Sequence, residues 1–277
     1  MNTKHLKAEI LRKQSFLCVG LDVDLEKVPV AFQQSTDRLV DFSISIIDAT
    51  ADYAVAYKPN IAFFECYGAE GMNALLAISH YLKQKYPEIF TIADAKRGDI
   101  GNTSTRYAKA YFETYGFDAI TVAPYMGRDS VEPFLAFKDK HTILLALTSN
   151  SGSDDFQRLT TQQIPLYQSV IKTAQTYKGS ERLMYVVGAT QADALSKIRE
   201  VAPNAFLLVP GVGAQGGSLA SVAKNGLTQE VGLLVNSSRG ILYASSGPNF
   251  AEAARKEAEA LQKEMAELLD KYLSSRC

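Results

Sequence analysis

The sequence has little of what several large classes of protein require. It holds three cysteines, Cys18, Cys66 and Cys277, which are too few and too scattered for a disulfide framework or a zinc site. No apolar run approaches the about 18 residues of a membrane-spanning helix. The first residues, MNTKHLKAEILRK, mix charges of both signs and lack the apolar core of a secretory signal. We therefore expect a reduced enzyme of the cytoplasm.

An excess of charge of one sign is also missing. The 29 Lys and Arg residues balance 30 Asp and Glu, whereas nucleic acids and acidic membranes are bound through a basic excess or a dense basic stripe. His5, His80 and His141 lie in helical patterns or just before a strand, and H-E-x-x-H, G-x-S-x-G and C-x-x-C motifs are absent. Neither histidine-driven hydrolysis nor zinc chemistry is expected.

What the chain does contain is a repeated alternation of apolar runs and amphipathic stretches. Near-continuous apolar runs are typical of strands that are buried on both faces, as in parallel sheets. Eight runs occur, at 16–23, 53–58, 89–95, 118–124, 142–148, 182–188, 205–210 and 230–236. Helical patterns include 37–52, 71–86, 103–116, 165–178 and a long final segment at 249–273. No linker rich in Gly, Ser or Pro interrupts them, so residues 1–277 are predicted to form one domain.

Eight strand–helix repeats predict an α/β fold, a single (β/α)₈ TIM barrel with parallel strands. A doubly wound open sheet is the alternative. The barrel is favoured because unusual polar residues end many of the apolar runs, and the carboxyl ends of barrel strands all meet at one rim. In an open sheet, some of these side chains would lie too far apart to act together.

The densest group of charges lies at the end of the third run, in Asp94-Ala-Lys96-Arg-Gly98-Asp99. Side chains alternate along a strand, so Asp94 and Lys96 should both point into the pocket of a barrel. A lysine between two carboxylates stays protonated, since one such pair at about 4 Å is worth about 4 kcal/mol at an effective dielectric of about 20. It suits a general acid rather than a Schiff base. A solvated charged turn is the alternative.

Lys58 closes the second run, where a buried lysine is unusual unless a carboxylate meets it. A second cation beside Asp94 would complete an alternating network of charges. The alternative is that the lysine reaches past the apolar strand to solvent at the rim.

A glycine-rich segment, PGVGAQGG at 210–217, follows the seventh run. Gly211, Gly213 and Gly216 match G-x-G-x-x-G, but the next strand ends in VNSSRG without the acidic residue that dinucleotide binding requires. Barrels commonly bind a phosphate in the loops after strands 7 and 8. Arg239, after the eighth run, would be a bidentate phosphate ligand; taken alone, it could equally form a surface ion pair.

Two further polar segments leave alternatives open. Asp22 and Asp24 end the first run, and one of them could face the pocket and bind sugar hydroxyls, or could cap a turn. Ser149 begins a polar tract that extends to about residue 163. Long loops of this kind are usually functional or disordered, and a lid, a loop that contacts a base and a plain solvated loop are all compatible with it.

Taken together, Asp94-Ala-Lys96-Arg-Gly-Asp99-Ile100, Lys58, PGVGAQGG and Arg239 resemble the orotidine 5'-phosphate decarboxylase family, in its longer bacterial branch. The resemblance extends from Asp22 to Arg239. It implies decarboxylation of orotidine 5'-phosphate to uridine 5'-phosphate (UMP), the last step of de novo pyrimidine biosynthesis, without a metal or other cofactor.

The resemblance also implies residue roles. Lys96 would donate the proton to C6, Asp94 would lie beside the substrate carboxyl group, and Lys58 would order the network. Asp99, with Ile100 and Thr103, would reach the substrate of the neighbouring subunit in a homodimer. The substrate-binding residues implied are Asp22, Ile100, Thr103, Ser149, Pro210, Gly211, Gln215, Ser238 and Arg239.

The sequence departs from the compact members of the family in a few places. Ser238 stands where those members have glycine before the phosphate-binding arginine, and both the tract at 149–163 and the final helix are additional. Two other functions are alternatives. A metal-dependent sugar-phosphate decarboxylase or aldolase would need an acidic residue near Lys58, and a non-catalytic nucleotide-binding barrel would not need the full charged set.

Overall fold

Eight parallel strands close into a barrel in a computed structural model of the protein, which describes residues 1–32, 35–161, 163–212 and 216–274. The barrel order is β1-β10-β9-β8-β5-β4-β3-β2, and β6 and β7 form a separate antiparallel pair. The strands are β1 Leu17–Leu21, β2 Ala54–Pro59, β3 Phe90–Arg97, β4 Ala119–Val122, β5 His141–Leu147, β6 Thr160–Thr161, β7 Ile164–Pro165, β8 Leu183–Val187, β9 Leu207–Pro210 and β10 Leu233–Ser237.

Closure of the sheet decides between the two predicted architectures. Strand β1 pairs in parallel with both β2 and β10, so the first and last strands of the chain are neighbours. An open sheet would leave two edges, and the doubly wound alternative is therefore wrong. Each of the eight apolar runs overlaps one barrel strand, and most of the strand side chains are fully buried because the barrel interior lies on one side and the helices on the other.

Helices surround the barrel, and they confirm the prediction that the amphipathic stretches are helical. A π-helical turn, Ala110–Thr114, continues α5 and ends two residues before the end of the predicted stretch at 103–116. The helices are α1 Thr3–Lys13, α2 Arg38–Thr50, α3 Ala62–Glu65, α4 Gly68–Lys85, α5 Gly101–Lys109, α6 Arg128–Leu135, α7 Ser153–Phe156, α8 Leu166–Ala174, α9 Ala192–Val201, α10 Leu219–Gly226, α11 Arg239–Leu242 and α12 Phe250–Ser274. Within the described ranges, none of them is long and apolar enough to cross a membrane.

The two segments that lengthen the chain beyond a compact barrel both have ordered structure. The polar tract after β5 contains the short helix α7 and the strand β6, and β7 follows directly after it. The side-chain oxygen of Gln157 accepts a hydrogen bond from the backbone N–H of Thr148 at 2.7 Å, which ties the tract to the end of β5. The final helix α12 packs against α2 and α11.

Candidate active site

A cavity of about 520 Å³ opens where the barrel strands end at their carboxyl termini. Its walls come from the ends of β1, β2, β3, β9 and β10 and from the residues that follow β5. Both hydrogen-bonding side chains and apolar ones line it, as in most small-molecule sites. The predicted site residues that line this cavity are Asp22, Lys58, Asp94, Lys96, Ser149, Pro210, Gly211, Ser238 and Arg239.

Three charged side chains of alternating sign lie side by side in the cavity. The Nζ atom of Lys58 is 2.7 Å from Oδ2 of Asp94, and the Nζ atom of Lys96 is 2.7 Å from Oδ1 of the same carboxylate. The side chains of Lys58 and Asp94 are 5% and 12% exposed, whereas that of Lys96 is 50% exposed. One lysine is thus a buried support, and the other presents its ammonium group to the cavity.

Burial and charge act in opposite directions on this cluster. Burial alone would raise the pKa of the Asp94 carboxyl group, but the ammonium groups of Lys58 and Lys96 outweigh it, and the pKa lies well below its usual range. Burial alone would lower the pKa of Lys58, but the charges of Asp94 and Asp22 keep the pKa above its ordinary value. Asp94 therefore remains a carboxylate, and Lys58 an ammonium ion, at neutral pH.

The end of β3 is irregular, and this irregularity directs Lys96. Ala93 pairs with Ile120 and Arg97 pairs with Val122, so the three residues between them on β3 face one residue of β4. Lys96 has φ = 47°, in the left-handed region that residues other than glycine seldom occupy. Strict alternation along a regular strand is therefore not what places Asp94 and Lys96 in one cavity.

Asp99, Ile100 and Thr103 do not line the cavity of their own chain. The Asp99 carboxylate accepts a hydrogen bond from the backbone N–H of Ile100 at 2.7 Å, just before α5 begins. Ile100 is 58% exposed, and Thr103 is exposed as well. Among the described residues, Asp94 is the only carboxylate within ion-pair distance of Lys96, so within one chain this lysine does not lie between two carboxylates.

Only some residues of the predicted phosphate site lie within the ranges that the structure describes. Gly213 and Gln215 lie outside the described residues. Gly211 has φ = 99°, which glycine adopts readily, and its carbonyl oxygen accepts a hydrogen bond from the N–H of Gly217 at 3.2 Å. Arg239 is exposed at the cavity, and its side chain has no ion-pair or hydrogen-bond partner in the part of the chain that the structure describes. Its guanidinium group is available for an anion.

Several residues of the site were not predicted from the sequence. The Tyr243 hydroxyl donates to the carbonyl oxygen of Asp22 at 3.0 Å and accepts from the N–H of Asp24 at 2.8 Å, which holds the end of β1 in place. Lys27 lines the cavity and pairs with Asp24 at 2.9 Å, a spacing of three residues that the sequence could have signalled. Nothing in the sequence points to Tyr243, which lies 221 residues from Asp22.

Close packing of β1 against the residues after β10 gives a first testable prediction. A Cβ atom on Gly20 would lie 1.9 Å from Oγ and 3.0 Å from Cβ of Ser238. Gly20→Ala should therefore displace Ser238 and the adjacent Arg239, lower the free energy of unfolding by about 1–3 kcal/mol and raise KM. Thermal melts and steady-state kinetics measure both effects.

The double variant Gly20→Ala/Ser238→Gly is the matched control, because it removes Oγ and Cβ of Ser238, the two atoms nearest to the new methyl group, and leaves Oδ1 of Asn236 at 3.1 Å. It should recover much of the lost stability. A Gly20→Ala protein as stable and as active as the wild type would show that this contact does not constrain the site.

Comparison with known proteins decides which family has this arrangement. A model of the orotidine 5'-phosphate decarboxylase / HUMPS family matches residues 15–256. The orotidine 5'-phosphate decarboxylase of Christiangramia forsetii is 60% identical over 271 residues, which are 98% of this chain and 100% of that protein. The chain belongs to the orotidine 5'-phosphate decarboxylase family. The Flavobacterium johnsoniae orotidine 5'-phosphate decarboxylase is 58% identical over 98% of this chain and 99% of its own.

A solved structure agrees with the sequence relatives. Leishmania donovani OMP decarboxylase is 37% identical, with a TM-score of 0.79 over 95% of this chain and 99% of that chain. Since the bacterial relatives are matched over nearly their whole length, the protein is a member of the longer branch of the family. The enzyme decarboxylates orotidine 5'-phosphate to UMP, the last step of UMP biosynthesis.

Among the residues described, no group of three or more His, Cys, Asp and Glu side chains is placed to hold a metal ion.

Proposed function

We propose that Lys96 donates the proton to C6 of the substrate, that Asp94 lies beside the scissile carboxylate, and that Lys58 holds Asp94 in place. The observation that carries this proposal is the row of alternating charges, in which both oxygens of Asp94 are paired with a lysine at 2.7 Å. Lys96 is the lysine of this row whose ammonium group is exposed to the cavity. A proton donor must be able to approach the reacting carbon.

Fixed charges address the main difficulty of this reaction. Loss of CO₂ leaves an electron pair on C6 of the pyrimidine ring, and an ammonium group already held at that place stabilises the developing charge without reorganisation. General acid catalysis typically contributes about 10²–10⁴-fold, whereas enzymes as a whole typically accelerate their reactions by about 10⁶- to 10¹⁷-fold. The remainder must come from fixed charges and from binding energy, and this scheme uses no metal or other cofactor.

The other residues of the cavity would bind the substrate. We assign the ribose hydroxyls to Asp22, the edge of the pyrimidine to Ser149, and the phosphate to Arg239 with the segment at 210–217, including Gln215. Pro210, Gly211 and Ser238 would complete the walls around the nucleotide. The support is that the described members of this group line one cavity with Asp94 and Lys96, and that Arg239 is an exposed cation there.

We further propose a homodimer in which Asp99, Ile100 and Thr103 contribute to the site of the neighbouring subunit. These residues do not line their own cavity, and Ile100, just before α5, is 58% exposed. Tyr125 and Met126, just before the neighbouring helix α6, are 91% and 51% exposed. Large apolar side chains exposed on adjacent elements are typical of a surface that a partner covers, and a second copy of the chain is the partner that we propose.

Coexpression of two inactive variants tests the charged row and the shared site together. Lys96→Ala and Asp99→Ala homodimers should each be almost inactive. A mixed dimer would hold one intact site, with Lys96 from one subunit and Asp99 from the other. Random pairing should then restore about a quarter of the wild-type activity.

The matched control pairs Lys96→Ala with Asp94→Ala, since both residues belong to the cavity of one chain and no mixed dimer regains an intact site. Mixed Lys96→Ala/Asp99→Ala dimers that form but remain inactive would rule out the shared site.

The domain organisation and the location of the protein are also proposed here. We infer that the whole chain is one domain, because the first and last helices, α1 and α12, both pack on the barrel, against β2 and β1 respectively. We also propose a location in the cytoplasm, on the ground that the reaction supplies UMP for nucleotide synthesis.

A further inference from the structure

A buried hydroxyl group outside the predicted site joins the two residues that carry the proposed chemistry. Thr121 lies on β4 and is 1% exposed. Its Oγ1 atom is 3.0 Å from Oδ1 of Asp94 and 2.9 Å from the backbone nitrogen of Lys96. Thr121 is also the residue of β4 that faces the three-residue irregularity of β3.

The chemistry of these groups determines which of them donates each hydrogen bond. The backbone N–H of Lys96 can only donate, so the Thr121 hydroxyl oxygen accepts there. The one hydroxyl proton is then directed to the Asp94 carboxylate, which can only accept while it is ionised. The Nζ atom of Lys96 donates to the same Oδ1 atom at 2.7 Å. Three hydrogen bonds thus form a closed ring: from the backbone N–H of Lys96 to the hydroxyl, from the hydroxyl to the Asp94 carboxylate, and from Nζ of Lys96 to the same carboxylate.

This ring supports a backbone conformation that costs free energy. A residue other than glycine at φ = 47° is disfavoured and persists only where its surroundings hold it. Lys96 lies in the irregular part of the β3–β4 pairing, where no residue of β4 is paired with it, and the Thr121 hydroxyl accepts the hydrogen bond from its N–H.

We propose that Thr121 is a positioning residue for the decarboxylation: its hydroxyl holds the Asp94 carboxylate and the backbone of Lys96 so that the ammonium group faces C6. The inference rests on the roles proposed above for Asp94 and Lys96. Thr121 itself does not line the cavity, so it acts through these two residues.

Two substitutions at this position separate the hydroxyl from the shape of the side chain. Thr121→Val keeps the shape and removes the hydroxyl, and we expect kcat to fall about 10- to 100-fold, the effect of leaving hydrogen-bonding groups unpaired. KM and the binding of UMP should change less than about 3-fold, because the substrate-binding groups do not move. Thr121→Ser keeps the hydroxyl and should retain kcat within about 3-fold of wild type.

Thr142 offers the matched control. It is a fully buried threonine on the adjacent strand β5, and its hydroxyl has no hydrogen-bond partner in the described part of the chain. Thr142→Val makes the same chemical change in a similar environment, and it should leave kcat unchanged.

A Thr121→Val protein with wild-type kcat would overturn the inference, as would a Thr121→Ser protein that loses as much kcat as the valine variant. If Thr121→Val does not fold, Thr121→Ala removes the same hydroxyl without adding a methyl group in its place. Thr121→Ala should then have a lower kcat than Thr121→Ser, and equal values of kcat would overturn the inference. Lys96→Ala separates this inference from the proposed function. Full activity of Lys96→Ala would refute the role of Lys96, whereas an inactive Lys96→Ala beside a fully active Thr121→Val would refute the role of Thr121 alone.

Discussion

Replacing Lys96 by alanine should give a folded protein that has lost at least about 10³-fold in kcat. The substitution removes both the proposed proton donor, worth about 10²–10⁴-fold, and the ammonium charge beside the developing carbanion. Folding should survive, because the side chain of Lys96 is half exposed and Asp94 keeps Lys58 at 2.7 Å. The loss of absorbance of orotidine 5'-phosphate measures the activity, and circular dichroism measures the fold.

Lys85 is a suitable control for the loss of a half-exposed, ion-paired lysine. Its side chain is 49% exposed and lies 2.9 Å from Asp48, on the outer helices of the barrel. Lys85→Ala should keep wild-type kcat, since the charge that it removes is far from the cavity. If Lys96→Ala retained more than about a tenth of the wild-type activity, Lys96 could not be the proton donor.

Removing the 5'-phosphate from the substrate should have a comparably large effect. Orotidine should be decarboxylated with a kcat/KM at least about 10³-fold below that of orotidine 5'-phosphate. Several charge-assisted hydrogen bonds of about 1.5–3 kcal/mol each would be lost, and enzymes use the binding energy of such remote groups to order the reacting centre. Steady-state kinetics with the two substrates measure the ratio.

Arg239→Ala assigns this effect to a residue. The variant should lose about 10- to 150-fold in kcat/KM for orotidine 5'-phosphate and almost nothing for orotidine, because there the guanidinium group has no phosphate to bind. Arg255→Ala, which removes an exposed arginine 3.7 Å from Asp52 on the outer surface, should change neither value. Equal turnover of the two substrates by the wild type would contradict the assignment of the phosphate site.

The barrel and the chemical nature of its site could be predicted from the sequence for physical reasons that are local. A strand buried on both faces needs a continuous apolar run, so eight such runs already specify eight strands. Polar residues at the ends of those runs, such as Asp22, Lys58 and Asp94, had to lie at one rim once the strands were parallel. The pairing of Lys58 with Asp94 followed from the cost of burying an unpaired ammonium group, and the structure confirms it.

The finer arrangement depends on contacts between residues that are distant in the chain. The φ of Lys96 and the hydroxyl of Thr121 beside it arise from the register between β3 and β4, which no local pattern encodes. Tyr243 reaches Asp22 only because the barrel closes between β10 and β1.

The position of Asp99 outside the cavity is likewise decided by tertiary structure. Its spacing from Lys96 suggested one shared charge cluster, but α5 begins at Gly101 and the chain leaves the cavity before that point. The sequence by itself determined the barrel, its rim and the types of charge on that rim, because the burial of a parallel strand on both faces requires a continuous run of apolar neighbours. Only the tertiary structure decided which of those charges touch, because hydrogen-bond geometry between strands depends on register and closure.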